Sequence, residues 1–407
     1  MFDVNKIRED FPMFKNNKDL IYFDSAATSF KPQCVIDEVV DYYSRKTVNI
    51  HRGDYDLSFE VSNEYESARE VAKTFINARS KDEIIFTNGA SSSLNLVAYG
   101  YGQKFLKEGD VVLSSEAEHA SNILPWFKVC EVTGAKIEYI PLKEDGVFDI
   151  ELFKKVMHKG VKVVTLAQVS NVLGYVLPMK EITAIAHEYG AIVVCDGAQS
   201  VPHTKTDVID SDVDFLAFSG HKMCGPSGVG VLYGKYELLE KMDAFMLGGG
   251  SNARFDICGN ILLKRPPYKF EAGTPCIEGV LGLKKAMEYL MNIGMDVIEA
   301  NDKQLVTYLI NQLKSLDNVQ VYNPHSDCAI ATFNFKDIFA QDAATYLNTK
   351  NIAVRSGNHC AKILLNVIKA SETIRASMYF YNTKEEIDRF IDVCKEVTLD
   401  KCIGVFL

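Results

Sequence analysis

The chain has 407 residues, of which 47% are hydrophobic and 24% charged, with a net charge of −10. That length predicts two domains, and the acidic balance argues against nucleic acid or an anionic membrane as the main partner. No run of apolar residues is long enough to cross a bilayer, the charged first ten residues predict no secretory leader, and ten scattered cysteines without a Cys-x-x-Cys pair predict a reduced, cytoplasmic protein with no metal site.

In chain order, Val61, Tyr65, Ala68, Ala72 and Phe75 recur at helical spacing and predict a helix over 59–77. The apolar run 84–87 predicts a strand, followed by a Gly-Ala-Ser-Ser-Ser turn and a helix from about 93. Strands follow at 111–114, 161–166, 191–195, 215–218 and 230–233, with helices ending near Trp126 and spanning 179–189 between them. These strands are continuous apolar runs, the pattern of strands covered on both faces, so the chain reads as α/β with helices on each side of a sheet. After about 275 the pattern changes. One long amphipathic helix is predicted over 278–315, then strands at 319–322 and 330–335, a helix at 341–350, strands at 352–355 and 374–380, and a terminal helix at 384–398. This predicts a larger domain over 20–275 and a smaller α+β domain from 1–19 with 276–407, joined near Pro266-Pro267 and Gly273-Thr274-Pro275.

Five segments carry chemistry. A buried strand ends in Ser219-Gly220-His221-Lys222, so a glycine-rich loop presents a lysine where sheets of this kind bind ligands. Such a lysine can form a Schiff base, although a loop lysine in solvent reads the same. Asp196 ends the preceding strand, where a carboxylate can either pair with a protonated ring nitrogen or cap a turn. Asn88-Gly89-Ala90-Ser91-Ser92-Ser93 joins a strand to a helix and suits a phosphate or a plain helix cap. His119 follows a strand and can stack on a ring, shuttle a proton, or serve a local network. Cys360 lies in Arg355-Ser356-Gly357-Asn358-His359-Cys360-Ala361, and Gly, His and Arg are surroundings that favour a reactive thiolate.

As a set, these segments resemble the cysteine desulfurases of the SufS/CsdA type (group II), within the class-V aminotransferase-like enzymes that use pyridoxal 5'-phosphate. Further matching segments are 22–27, 169–174, 270–275 and 374–377. The resemblance implies the fold-type I architecture, a large domain with a mostly parallel seven-stranded sheet between helices plus a smaller α+β domain. It implies that Lys222 carries the cofactor, Asp196 pairs with its ring nitrogen, Gln199 meets its hydroxyl and His119 stacks on the ring. Ala90, Ser91, Ser219 and His221 would hold the phosphate, with Thr274 reaching in from a second subunit of a homodimer. Asn171 and Arg375 would bind the substrate carboxylate, Arg355 would sit beside it, and His51 would lie at the entrance. Cys360 would take sulfur from L-cysteine, leaving alanine, and pass it to an acceptor protein of the SufE or SufU kind for Fe–S cluster or other sulfur-compound assembly. Cys360 and Arg375 are fifteen residues apart, a short loop that implies slow turnover without that acceptor. The chain departs from the family pattern at Ala90-Ser91 (usually Thr-Thr), Ser92, Asp54-Tyr55-Asp56, Ala120 and Lys362-Ile363. A selenocysteine lyase of the same fold, another amino-acid reaction on the same cofactor, and a non-catalytic scaffold in Fe–S assembly are the competing readings.

Overall fold

In a computed structural model that describes residues 2–405, the apolar runs pair into one seven-stranded sheet. Its spatial order is Ile84–Thr87, Gly230–Gly234, Phe215–Ser219, Ile192–Asp196, Val161–Ala167, Val111–Ser115 and Lys136–Ile140. Gly230–Gly234 runs antiparallel to both neighbours, and every other pair is parallel. The central strands are buried except at Lys162 and Ile192, as their mostly apolar sequence requires. Parallel strands bring their carboxyl ends to one edge, so Ser115, Ala167, Asp196 and Ser219 all finish on the same side. Lys136–Ile140 was not expected from the sequence. It is an edge strand whose residues alternate between exposed and half-buried, so its charged positions face water.

A second sheet of four antiparallel strands is ordered Val319–Val321, Ile330–Phe335, Thr373–Ser377, Arg355–Gly357. The strand expected over 352–355 divides in two. Ile352–Ala353 pairs in parallel with Ile21–Tyr22, while Arg355–Gly357 joins Thr373–Ser377. The single helix expected over 278–315 also divides. Gly294 has φ 98°, a conformation that favours glycine, and it separates Ile277–Ile293 from Met295–Lys314. The two helices serve different cores. Val280, Leu283 and Met287 pack in the core of the large sheet, whereas Leu305, Leu309 and Leu313 pack with the smaller sheet. Met295 and Ile298 still pack in the first core, so packing changes side within the second helix, between Ile298 and Leu305.

Phe11 and Phe14, from the amino-terminal segment, pack edge-on against Tyr381 with ring centroids 5.1 and 5.5 Å away. A hairpin of Asn252–Phe255 and Ile261–Leu263, also unexpected, projects Phe255, Ile257 and Leu262 into solvent. Among the described residues no helix is long and apolar enough to cross a membrane.

Candidate functional site

The strand Phe215–Ser219 runs into a single helical turn, Gly220–Lys222, which delivers Lys222 to the carboxyl edge of the sheet. Lys222 is half-buried, and desolvation lowers its pKa to about 8 against the opposing pull of Asp196, with Arg375 and Arg355 lowering it further. Two strands sit side by side here, so Asp196 lies at the same edge, its Oδ1 accepting from the Ala198 N–H at 2.9 Å. Gln199 donates through Nε2 to the Ala26 carbonyl at 2.9 Å, which leaves its buried Oε1 without a partner.

The helix expected from about 93 begins at Ala90, because Gly89 at φ 133° turns the chain directly out of the strand. The Ala90 N–H donates to Ser219 Oγ at 2.8 Å, tying the turn to the lysine-bearing strand. Ser91 Oγ lies 2.6 Å from Ser121 Oγ, so a second helix start meets the first. His119 caps that second helix by accepting the Ser121 N–H on Nδ1 at 3.1 Å. Burial and Lys222 both lower its pKa, so the ring is neutral and presents Nε2 as its N–H. His221 is likewise held neutral, its pKa lowered to about 4 by burial and by Lys222 and Lys31.

The four-stranded sheet closes the other side. Arg375 is fully buried in the strand Thr373–Ser377 and donates to the Asn171 carbonyl at 2.9 Å and to Asp24 Oδ1 at 3.2 Å, while its Nε has no partner. Arg355 Nε lies 3.6 Å from the other oxygen of Asp24. Asp24 is thus the hub between two arginines, although burial outweighs them and raises its pKa. The thiol-bearing turn is pinned from two sides by segments that flank the seven-stranded sheet. Asn171 Nδ2 donates to the His359 carbonyl at 2.7 Å, and the Ala120 N–H donates to the Cys360 carbonyl at 2.8 Å. His359 and Cys360 both adopt left-handed backbone, at φ 50° and 56°. His359 turns away from the thiol towards Thr373, and burial followed by Arg375 lowers its pKa to about 3. The adjacent histidine is therefore no cationic neighbour of the thiol, whereas Lys222 lies within charge range of it.

Lys222, Asp196 and Cys360 line one cavity of about 210 Å³. Ala90, Ser91, His119, Asn171, Gln199, Ser219, His221, Arg355 and Arg375 line the same cavity. His51 and Thr274 do not. His51 borders a separate cavity with Arg52 and Gly273, and Thr274 takes a 3.4 Å contact from Asn49 beside a third cavity near Asn88 and Ser92. Ser121 also lines the cavity and Asp24 anchors its arginines, but neither was expected. Asp24 lies within the matching segment 22–27, yet nothing local in the sequence pairs it with an arginine 351 positions away.

Residues 21–390 match the aminotransferase class-V family. A probable cysteine desulfurase of Halalkalibacterium halodurans is 46% identical over 391 residues, covering 95% of this chain and 96% of that one. A probable cysteine desulfurase of Staphylococcus aureus is 42% identical over 403 residues, covering 97% of each. Among solved structures, the cysteine desulfurase CsdA (S-sulfonic acid) of Escherichia coli superposes with a TM-score of 0.91 at 34% identity, covering 100% of this chain and 99% of that one. The apo cysteine desulfurase of Thermococcus onnurineus NA1 superposes with a TM-score of 0.93 at 37% identity, covering 97% and 98%.

Proposed function

The chain belongs to the aminotransferase class-V family, and from that premise we infer that it is a pyridoxal-phosphate-dependent cysteine desulfurase, which takes sulfur from L-cysteine onto Cys360 and leaves L-alanine. The observation that carries this reading is the convergence of Lys222, Asp196 and Cys360 on one cavity. The residues present suit the cofactor. Gln199 Oε1 is a buried acceptor without a donor, which a ring hydroxyl would supply, and Lys222 is an amine with a lowered pKa beside a carboxylate. When bound, pyridoxal phosphate would supply an electron sink for the charge left on the substrate's α-carbon.

The chain's own residues do the rest. Lys222 would carry the cofactor covalently. Once displaced by substrate, its Nζ, with a neutral share at working pH, would take the α-proton. Asp196 would hold the ring nitrogen protonated. His119, neutral and fixed at a helix start, would pack over the ring. Ala90, Ser91, Ser219 and neutral His221, at the head of the helix Ala90–Val97, would bind the phosphate through hydrogen bonds. Arg375, held by Asp24, has Nε free for a substrate carboxylate, with Asn171 and Arg355 at its flanks. The Cys360 thiolate would form an S–S bond to the substrate sulfur as the C–S bond breaks, and the three-carbon fragment would take up protons to become alanine.

The finer reading is a SufS-like, group II enzyme working in the cytoplasm and passing the persulfide to an acceptor of the SufE or SufU kind, for Fe–S cluster or other sulfur-compound assembly. The short, two-sided anchoring of the Cys360 turn supports it, because a pinned thiol must be visited by its acceptor. We further propose a homodimer. Thr274 and His51 lie away from their own chain's cavity, where a second copy would make use of them. The proposed domains are 20–275 and the remainder, with the helix Ile277–Ile293 packing on the larger one.

The test is an assay of alanine and sulfide with cysteine and a reductant. Wild type should yield both and show a yellow absorbance band. Lys222→Ala should lose band and products, and Cys360→Ala should keep the band and yield little sulfide. Normal turnover by Cys360→Ala would overturn the persulfide route.

A further inference from the structure

One carboxyl group behind the cavity has no part in the reaction above. Glu118 is buried, and its three hydrogen bonds come from three different elements. Oε1 accepts from Ser115 Oγ at 2.6 Å, at the end of Val111–Ser115. Oε2 accepts from Asn122 Nδ2 at 2.7 Å, in the helix that His119 caps, and from the Ala167 N–H at 2.8 Å, at the end of Val161–Ala167. Ala167 pairs in register with Asp196 and itself lines the cavity, so Glu118 stands one layer behind the site. Thr165 donates to Asn122 Oδ1 at 2.7 Å, which fixes that amide as a donor towards Glu118.

A buried carboxylate with no cation among its hydrogen-bond partners is costly, and its charged neighbour has the same sign. Burial first, then Asp196, push the Glu118 pKa up to about 7 despite the donors from Ser115, Asn122 and Ala167. Three nearby titratable groups are held neutral, and Glu116 in the same turn is tied to the Leu142 N–H at 3.3 Å. Burial pushes Cys195 up and Tyr175 up to about 12, and His119 is lowered. The hydrogen bonds suit either protonation state. Asn122 and Ala167 can only donate, and both meet Oε2. Ser115 is a hydroxyl, already accepting from the Ala117 N–H at 3.1 Å, and it can donate to an ionised Oε1 or accept from a protonated one.

We propose that Glu118 is a positioning residue with a reversible charge. It fixes His119 at the head of its helix and, when ionised, adds a second negative charge behind Asp196 that strengthens the hold on a protonated ring in the cavity. This rests on the reading of the cavity as a pyridoxal-phosphate site.

The test uses Glu118→Gln, Ser115→Ala and the double variant. Glutamine fits the same bonds, with its oxygen in place of Oε2 and its amide donating to Ser115. In the yellow holoproteins, Glu118→Gln should lower the pH midpoint of the visible band by about half a unit or more, since a cation loses a favourable charge. Ser115→Ala, which removes a donor from the carboxylate, should shift it the same way, and the double variant should match Glu118→Gln.

A second readout needs no cofactor. The folded-state pKa of Glu118 is raised, so wild type loses stability as pH climbs from the ordinary carboxylate range through about 7. The melting temperature of apo Glu118→Gln minus that of apo wild type should therefore be more positive at pH 8 than at pH 5. Equal band midpoints with a pH-independent melting difference would overturn the proposal and leave Glu118 a structural brace. A wild type that never turns yellow would overturn it together with the cofactor reading. That outcome is told apart from the first because the apoprotein melts are read independently.

Discussion

Asn171→Ala is the sharpest probe of how the thiol is held. His359 and Cys360 occupy left-handed backbone, which costs an L-residue roughly 1–2 kcal/mol each. Two hydrogen bonds offset that strain by gripping the carbonyls of these two residues, one from Asn171 Nδ2 and one from the Ala120 N–H. The His359 carbonyl is buried, so removing its donor forfeits about 1–3 kcal/mol. By the tenfold change per 1.4 kcal/mol, the pinned turn should become about five- to hundredfold less populated relative to open forms. At saturating cysteine, single-turnover persulfide formation in Asn171→Ala should fall, by that factor at most, with the yellow band unchanged. Cys360 is already exposed in the pinned turn, so its alkylation in the resting enzyme should change little. Asn171 is also proposed to meet the substrate carboxylate, and that role alone would raise KM and spare kcat. A variant with wild-type kcat and raised KM would refute the pinning argument.

Arg69 is fully buried and meets Glu271 through both its terminal nitrogens, at 2.8 and 2.9 Å, while Glu271 also accepts the Phe86 N–H. Glu271→Ala should cost about 3 kcal/mol in urea unfolding, because a buried guanidinium then keeps only the Ile84 carbonyl at 2.7 Å and, as its one carboxylate, Glu66 at 3.3 Å; a loss under about 1 kcal/mol would contradict this. Covalent uptake of pyridoxal phosphate by apoprotein needs neutral Lys222, whose pKa is lowered to about 8. Its rate, followed by absorbance, should rise with pH through a midpoint near 8, and a midpoint at the ordinary lysine value would show that burial does not act as described. Asp24→Asn removes the charge that orients Arg375 and Arg355, so KM for cysteine should change at least several-fold with little change in the cofactor band. An unaltered KM would mean that the arginines need no such anchor.

Much of the cavity was legible because its residues sit where short apolar runs stop. Lys222, Asp196 and His119 each follow a buried strand, and parallel strands end on one edge, so their convergence follows from the fold class. What stayed hidden was non-local or lacked an apolar signature. Asp24 and Arg375 meet only through a bridge between distant segments. Lys136–Ile140 alternates with charged residues and carries no buried run. Gly294 sits in an otherwise helical pattern, where one glycine is tolerated as readily as it breaks a helix, and only its backbone angle decides. The hairpin around Ile257 has apolar residues but no core of its own chain to bury them. His359 looked like a partner for the thiol because it is adjacent in sequence, but its ring is committed to Thr373.

The most direct measurement is the intact mass of the protein after brief exposure to L-cysteine, without reductant, followed by peptide mapping. One added sulfur atom should be found on the peptide bearing Cys360, matched by one alanine released, and neither should form in Cys360→Ala. Alanine released in full by Cys360→Ala, or added sulfur residing on another of the ten cysteines, would contradict the assignment of that thiol as the acceptor.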